Sequence, residues 1–186
     1  GGLAVVGSRN VDQAGEQFAR RTVAACAQQG TAIVSGGARG VDQTAMLASL
    51  DAGGTAVGVL ADSLFRASVA KKFRNPIRER RLVLVSAFIP EARFNVGNAM
   101  GRNKHIYALA DFALVVSAEQ GRGGTWAGAT EELKRPHGRP VFVRDEPTAP
   151  NGNRALMKLG AGAFPPPPWE DGLVATLSGK SAKKSP

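Results

Sequence analysis

The feature that most constrains the fold of this chain is a series of short apolar runs that alternate with longer segments of helical spacing. The runs are LAVVG (3–7), TAIVS (31–35), TAVGVL (55–60), LVLVSAF (82–88), FALVVS (112–117) and PVFV (140–143). Because they lack polar alternation, they are typical of strands buried on both faces. Strands that alternate with helices predict an α/β fold with a doubly wound, mostly parallel sheet flanked by helices, of the Rossmann-like kind.

The composition changes near residue 145. A chain of 186 residues, 43% of them hydrophobic, is long enough for one well-buried core, and we expect that core in a Rossmann-like domain at residues 1–145. Residues 146–186 contain a proline run and a basic end. We therefore expect an extension that packs loosely on the core and carries a disordered basic tail after Ser178.

The charge indicates the class of partner, and the cysteine content limits the kinds of site that the chain can form. The chain has 24 Lys and Arg residues against 15 Asp and Glu, a net charge of +9, which favours a nucleic acid as partner. The single cysteine, Cys26, excludes an internal disulfide and a CxxC metal site, and its helical spacing indicates a core position. No apolar run is long enough to span a membrane. We expect a cytoplasmic protein with no metal, no cofactor and no membrane contact.

Two glycine-containing turns follow the first two predicted strands, and the carboxyl ends of parallel strands are where such folds bind ligands. The predicted phosphate- or DNA-binding residues in these turns are Gly7, Ser8, Arg9, Ser35, Gly36, Gly37 and Gly40. Glycines let backbone amides approach an anion, and the hydroxyl and guanidinium groups can bind phosphate. The first turn can equally be an ordinary strand-to-helix connection that Asn10 or Asp12 caps.

The second turn admits another interpretation. Ser35, Gly37 and Gly40 fit the spacing of a dinucleotide fingerprint, and Asp62 lies about twenty residues further on. The fingerprint is weak here, because it follows the second strand and has Ser in place of its first glycine. Asp42 would also compete with a phosphate at the helix start, so we interpret it as a helix cap that shapes the loop rather than as a direct contact to a ligand.

A third turn and the helix before it complete the predicted site. The turn SAEQGRGGTWAG (117–128) supplies amides, a cation and a ring at a helix start, and the segment GRNKHI (101–106) supplies further polar and cationic groups. Their predicted binding residues are Gly121, Arg122, Gly123, Gly124, Thr125, Trp126, Arg102, Asn103 and Lys104. Trp126 can stack a base or anchor the core, and Phe94 is a second stacking candidate. His105 has no visible catalytic partner and fits a surface or capping role.

A cationic run, KKFRNPIRERR (71–81), lies outside these turns. Such a run is usually a solvated helix face. It can also extend an electrostatic path for single-stranded nucleic acid.

The motifs GSR (7–9), SGGARGVD (35–42), GRNKHI (101–106) and GRGGTWAGA (121–129), in this order, resemble the Rossmann-like core of the DNA-processing protein A family, also named DprA or Smf. The resemblance covers about residues 3–144. It implies a homodimeric protein without enzymatic activity that binds and protects single-stranded DNA and helps to load a RecA-type recombinase in natural transformation or recombination. Lys104 stands where the family usually has a second Arg, and GRGGTW departs from its last loop.

Two alternatives use the same pocket. The cytokinin-activating phosphoribohydrolases, also described as lysine-decarboxylase-like, are similar in Gly123, Gly124 and Thr125, and in that family Arg102 and Glu131 would be catalytic. Their Glu follows the Thr by three residues, where this chain has Gly128, and the carboxylate is needed at the ribose. The other alternative is a sensor that holds a free nucleotide without turnover. We expect binding rather than catalysis.

Overall fold

The sheet contains every strand that the apolar runs predict. A computed structural model describes residues 1–182 of the chain. Its strands are β1 (Leu3–Gly7), β2 (Ile33–Ser35), β3 (Ala56–Leu60), β4 (Leu82–Ser86), β5 (Phe112–Ser117), β6 (Val141–Val143) and β7 (Gly162–Ala163). Residues of β1, β2, β5 and β6 are buried almost without exception, as expected for strands covered on both faces.

The strands form one all-parallel sheet in the order β4-β3-β2-β1-β5-β6-β7. The chain therefore winds outward from β1 to β4 and then returns to the other side of β1 at β5. The prediction of a doubly wound α/β fold is confirmed. The reversal between β1 and β5 opens a crevice at their carboxyl ends, where such folds place ligands.

Helices cover both faces of the sheet. In chain order they are α1 (Gln13–Gln28), α2 (Val41–Asp51), α3 (Leu64–Ser68), α4 (Lys71–Arg78), α5 (Val96–Ala108), α6 (Gly123–Lys134), α7 (Asn151–Lys158) and α8 (Leu173–Ala182). Apolar residues of α1, α2 and α8 pack together on one face, those of α5, α6 and α7 on the other, and α4 packs beside α2. Within residues 1–182, no helix combines the length and the apolar character needed to cross a membrane.

Helix α1 shows how local sequence sets an element. The Asp12 carboxylate accepts a hydrogen bond from the Gly15 amide at 3.0 Å and caps the helix. At the other end, Gly30 adopts a φ of +66° after the last turn, a conformation that glycine favours. Cys26 is fully buried in the core, as predicted, and burial raises the pKa of its thiol to about 12.

The C-terminal extension is packed more tightly than the sequence suggests. Strand β7 pairs with β6, Phe142 with Gly162 and Val143 with Ala163. The Trp169 ring lies edge-on against the Phe164 ring at 6.0 Å, and both side chains are buried. The prediction of loose packing is therefore wrong. Phe164 and Trp169 complete the core, but the short strand and the four prolines beside them give no apolar run in the sequence that would predict this.

The predicted disorder after Ser178 is also wrong for the next four residues. Helix α8 continues through Ala182, because Leu173 and Leu177, one turn apart, anchor it in the core. The rest of the predicted tail, residues 183–186, lies outside the described residues.

Candidate functional site

An open cleft of about 920 Å³ lies at the carboxyl ends of β1 and β5, where the strand order reverses. The predicted site residues that line it are Gly7, Ser8, Arg9, Arg102, Asn103, Arg122, Gly123, Gly124 and Thr125. Those that do not line it are Ser35, Gly36, Gly37, Gly40, Lys104, Gly121 and Trp126. The first and third turns thus meet at one cavity, whereas the predicted residues of the second turn lie behind it and that turn contributes only Ala38 and Asp42 to the lining.

The loop after β1 is tied to the end of β5. The Ser8 amide and hydroxyl both donate to the Ser117 carbonyl oxygen, at 2.9 and 3.1 Å. These bonds hold the next residue, Arg9, at the rim of the cleft. The Arg9 guanidinium carbon lies 5.1 Å from the centre of the Phe94 ring, a cation–π distance.

The glycines of the second turn approach other parts of the protein rather than the cleft. Gly40 has a φ of +91°, and a Cβ there would collide with the carbonyl oxygens of Ser8 and Arg9. A Cβ on Gly36 would collide with the Arg102 guanidinium. The Ser35 hydroxyl is buried and donates to the Val5 carbonyl at 2.6 Å. The glycines therefore let the first loop, the second loop and Arg102 pack closely.

Asp42 connects these loops from beneath. Its carboxylate accepts the Gly7 amide at 3.3 Å and also the amides of Gly36 and Ala38. Its bonds are to the amides of the two loops and not to α2, its own helix, so the predicted capping role is wrong and the loop-shaping role is confirmed. Burial raises the pKa of Asp42 to about 6, although the Arg102 charge and the three amides act in the opposite direction.

Arg102 forms the back wall of the cleft and is only 7% exposed. Its Nη1 donates to the carbonyl oxygens of Gly36 and Val59, and so joins the ends of β2 and β3 to α5. Its Nε has no hydrogen-bond partner. Burial lowers the pKa of Arg102, and the nearby carboxylates of Asp42 and Asp62 oppose that shift. The contacts of this guanidinium are thus to the protein itself.

The start of α6 forms the opposite wall. No side chain caps this end of the helix, so the amides of its first turn are available to an anion. The Arg122 side chain is 78% exposed and lies 3.3 Å from Glu119. Asn103 donates to the Gly124 carbonyl at 3.0 Å and holds α5 against α6. This wall can offer backbone donors and an exposed cation to a phosphate.

Several predicted residues lie elsewhere. Lys104 is exposed on α5, outside the cleft lining. Trp126 is half-buried and packs against the core under α5 and α6. Of its two predicted roles, base stacking and core anchoring, the structure shows the second. Glu131 is exposed and pairs with Arg135 at 3.2 Å. A Cβ on Gly128, where the phosphoribohydrolases have their Glu, would lie 3.2 Å from the Asn103 side chain.

The cleft is also lined by residues that were not predicted from the sequence. Val96 and Met100 are 68% and 39% exposed, one turn apart on α5, and both face the cleft. Their signal was the pair of apolar residues at i and i+4 just after the Asn95 cap. The C-terminal extension also contributes to the lining, through Pro150, Asn151 and Gly152. No pattern in the sequence predicts that these three residues reach the cleft. Among residues 1–182, no cluster of three His, Cys, Asp or Glu side chains could hold a metal ion.

The chain matches known proteins over most of its length. The family model for DNA recombination-mediator protein A matches residues 1–166. The chain belongs to the DNA recombination-mediator protein A family. It is 34% identical over 167 residues to Protein Smf of Escherichia coli, covering 86% of this chain and 43% of that protein. A putative DNA processing protein DprA of Mycobacterium tuberculosis is 33% identical over 164 residues, 85% of this chain and 41% of that protein.

The family membership confirms the resemblance in the four motifs. The chain spans less than half the length of the curated relatives it matches. A solved structure of DNA processing protein A from Streptococcus pneumoniae superposes with a TM-score of 0.72 at 24% identity, over 87% of this chain and 57% of that one.

Two more distant comparisons describe the fold. DNA processing protein A from Helicobacter pylori, whose structure concerns its single-stranded DNA binding mode, gives a TM-score of 0.72 at 20% identity, over 97% of this chain and 80% of that one. The Moco carrier protein of Chlamydomonas reinhardtii gives 0.60 at 21%, over 97% of both chains. The Rossmann-like fold is thus shared across this wider group.

Proposed function

We propose that the cleft binds single-stranded DNA. The observation that carries the proposal is the pairing of Arg9 with Phe94 at the rim, where a cation and a half-exposed ring lie side by side. Nucleic acid bound as a single strand needs cations for its phosphates and rings for its unstacked bases. The net charge of +9 adds a general attraction for polyanions.

The residues of the cleft divide into two roles in this proposal. Arg9 and Arg122 contact phosphates, the first-turn amides of α6 donate hydrogen bonds to a further phosphate oxygen, and Phe94 stacks a base. Arg102 and Asp42 hold the loops in place instead of contacting the strand, because both are buried against protein. Lys104 adds charge from outside the cleft.

The cellular role is part of the same proposal and is based on the family resemblance. The chain would act in the cytoplasm as a homodimer, protect single-stranded DNA taken up or exposed in recombination, and assist the loading of a RecA-type recombinase. The match to the recombination-mediator family over residues 1–166 supports this role. So does the Helicobacter pylori relative, whose solved structure concerns its binding of single-stranded DNA.

The proposal is tested by the fluorescence anisotropy of a labelled oligothymidylate of about 6 nucleotides. We expect binding at about 50 mM salt that weakens steeply by about 200 mM. Phe94→Ala should weaken binding about tenfold, because a base stacked on an aromatic ring contributes about 1–3 kcal/mol. Phe65→Ala is the matched control, since Phe65 is 58% exposed against 52% for Phe94 and lies outside the cleft. Equal losses in both variants, or no binding by the parent protein at low salt, would refute the proposal.

The enzyme alternative is tested beside it by adenine release from AMP. Glu131 points to solvent and pairs with Arg135, so the pair Arg102 and Glu131 does not face one ligand. We expect no adenine. Turnover that Glu131→Gln abolishes would establish the phosphoribohydrolase instead, and AMP that competes with the oligonucleotide without turnover would favour the nucleotide sensor.

A further inference from the structure

Exposed cations continue away from the cleft along the carboxyl edge of the sheet. Arg9 follows β1, Arg39 follows β2, and Arg66 lies in α3, which follows β3. Because the strand order is β4-β3-β2-β1 and neighbouring strands lie about 4.8 Å apart, these three side chains succeed one another from the cleft outward. Arg39 and Arg66 do not line the cleft.

Helix α4 prolongs this series. The chain leaves the carboxyl end of β3, passes through α3 and α4, and enters β4 at Leu82 on the opposite edge. The first turn of α4 is therefore the end nearer the carboxyl edge. It carries Lys71, Lys72 and Arg74, all exposed. We name Arg39, Arg66, Lys71, Lys72 and Arg74 the cationic row.

Little opposing charge lies along the cationic row. Among the described residues, none of its members forms an ion pair with a carboxylate. Glu79, the one acid in the segment 71–81, is bonded to Arg81 at 2.5 Å. Asp62, half-buried near Arg102, and exposed Glu91 are the carboxylates of the neighbouring loops. Arg39 and Arg74 donate to neutral oxygens, those of the Asn10 side chain and the Val69 carbonyl, and Lys72 lies over the Phe73 ring. The row therefore keeps a positive excess that no carboxylate neutralises.

The chemistry of the row fits a phosphate backbone better than a membrane. A membrane-bound amphipathic helix needs a free apolar face, but the apolar face of α4 is occupied: Phe73 is buried and Ile77 packs into the same core cluster. The exposed apolar side chains beside the row, Phe65 and Val69, belong to a five-residue helix and its end and do not form a continuous apolar helix face. Spaced cations neutralise phosphates independently of sequence. Continuity with the cleft favours the strand already held there over a separate acidic protein.

We propose that the cationic row carries the phosphate backbone of the DNA strand beyond the cleft. This inference rests on the proposed function, because the cleft supplies the strand. It assigns a purpose to the basic segment 71–81 that differs from a solvated face. It also predicts that affinity depends on strand length, because a short strand fills the cleft alone and a longer one reaches α4.

The test compares oligothymidylates of about 6 and about 20 nucleotides in a salt titration. The variant Arg66→Gln/Lys71→Gln/Lys72→Gln/Arg74→Gln removes four exposed cations and leaves the cleft lining intact. For the longer strand we expect about tenfold weaker binding at low salt. The slope of log affinity against log salt should also fall by about 2–3, at roughly 0.7 for each lost phosphate contact. The shorter strand should bind as it does to the parent protein, which also verifies the fold.

The matched control is Lys134→Gln/Arg139→Gln/Lys158→Gln/Lys180→Gln, which removes the same charge from exposed positions outside the cleft and the row. Equal losses in both quadruple variants would overturn the proposal, since net charge alone would explain them. Unchanged binding of the longer strand would also overturn it. Binding to phosphatidylserine vesicles and to polyglutamate is measured in parallel, and a quadruple variant that loses affinity only for one of these would overturn the proposal too. If the parent protein binds neither strand, the proposed function fails and the row fails with it; if it binds both strands equally, only the row fails.

Discussion

At the scale of residues, the shape of the cleft depends on a buried pair, Asp42 and Arg102, whose contacts are all to other parts of the protein. Asp42 gathers amides from two loops, and Arg102 crosses from α5 to the ends of β2 and β3. Arg102 is held by backbone carbonyls with a carboxylate nearby, so the burial of its charge is offset within the fold. These two residues set the distance between the first loop and the back wall.

The raised pKa of Asp42 determines how the stability of the protein should depend on pH. Its pKa in the folded state, about 6, lies above the ordinary 3.8, so the folded protein binds this proton more tightly than the unfolded chain. The contribution is complete below about pH 4 and is lost as the pH rises through 6. Between about pH 4 and pH 7, the free energy of unfolding of the parent protein should therefore fall by about 3 kcal/mol relative to Asp42→Asn.

Urea denaturation of both proteins across this range measures the difference. The variant is its own control, because it retains every other titrating group. A difference that stays constant, or that grows with pH, would contradict the assigned direction of the shift.

At the scale of elements, α7 fixes one wall of the cleft. The buried Asn153 amide donates to the carbonyls of Val116 and Arg144, at 3.1 and 2.9 Å, and accepts the Ala118 amide at 2.9 Å. Next to it, a Cβ on Gly152 would collide with the Ala118 carbonyl. Helix α7 thus locks the end of β5, from which the 118–122 loop starts.

Asn153→Ala should destabilise the protein by about 2–4 kcal/mol. The reason is that two carbonyls and one amide would remain buried without partners. Asn151→Ala, an exposed change in the same helix, should alter the free energy of unfolding by less than about 0.5 kcal/mol. Thermal denaturation of the two variants checks this, and similar losses in both would show that Asn153 is no anchor.

The elements differ in how far their sequences predict them. The strands up to β6 follow from uninterrupted apolar runs, which are typical of strands covered on both faces. The edge strand β4 has such a run but is covered only in part, with Val83 53% exposed. Strand β7, Gly162–Ala163, has no such run, and its position depends on the pairing with β6. Glycine spacing predicted that an anion approaches the backbone at Gly36 and Gly40, but spacing alone does not specify what approaches. The partners proved to be Arg102 and the Ser8–Arg9 backbone, which only the folded loops bring there.

At the scale of the whole molecule, the C-terminal extension and the Rossmann-like core share one apolar interior. Phe18 of α1, Phe142 of β6, Phe164 and Trp169 form a chain of ring contacts, each between 6.0 and 6.4 Å. The Trp169 indole also donates to the Pro165 carbonyl at 3.2 Å. Residues 146–182 therefore stabilise the sheet that carries the cleft.

Trp169→Ala should cost about 3–5 kcal/mol, as truncation of a buried aromatic residue does. Unfolding should remain a single transition, because the ring packs into the same core as α1. Val174→Ala, at a 53% exposed position of the same extension, should have little effect. Guanidinium unfolding followed by far-ultraviolet circular dichroism and tryptophan fluorescence tests both points. Non-coincident transitions would show that the extension folds separately.

The burial of Cys26 has a practical consequence for studying this protein. Thiol reagents attack the thiolate, and the one thiol of the chain is enclosed beneath α1 with its pKa raised to about 12. A maleimide dye will therefore label a cysteine engineered at the cleft rim while Cys26 stays unmodified, so the natural residue need not be removed. Under the same conditions, slow modification of Cys26 itself reports how often the helix layer lifts from the sheet.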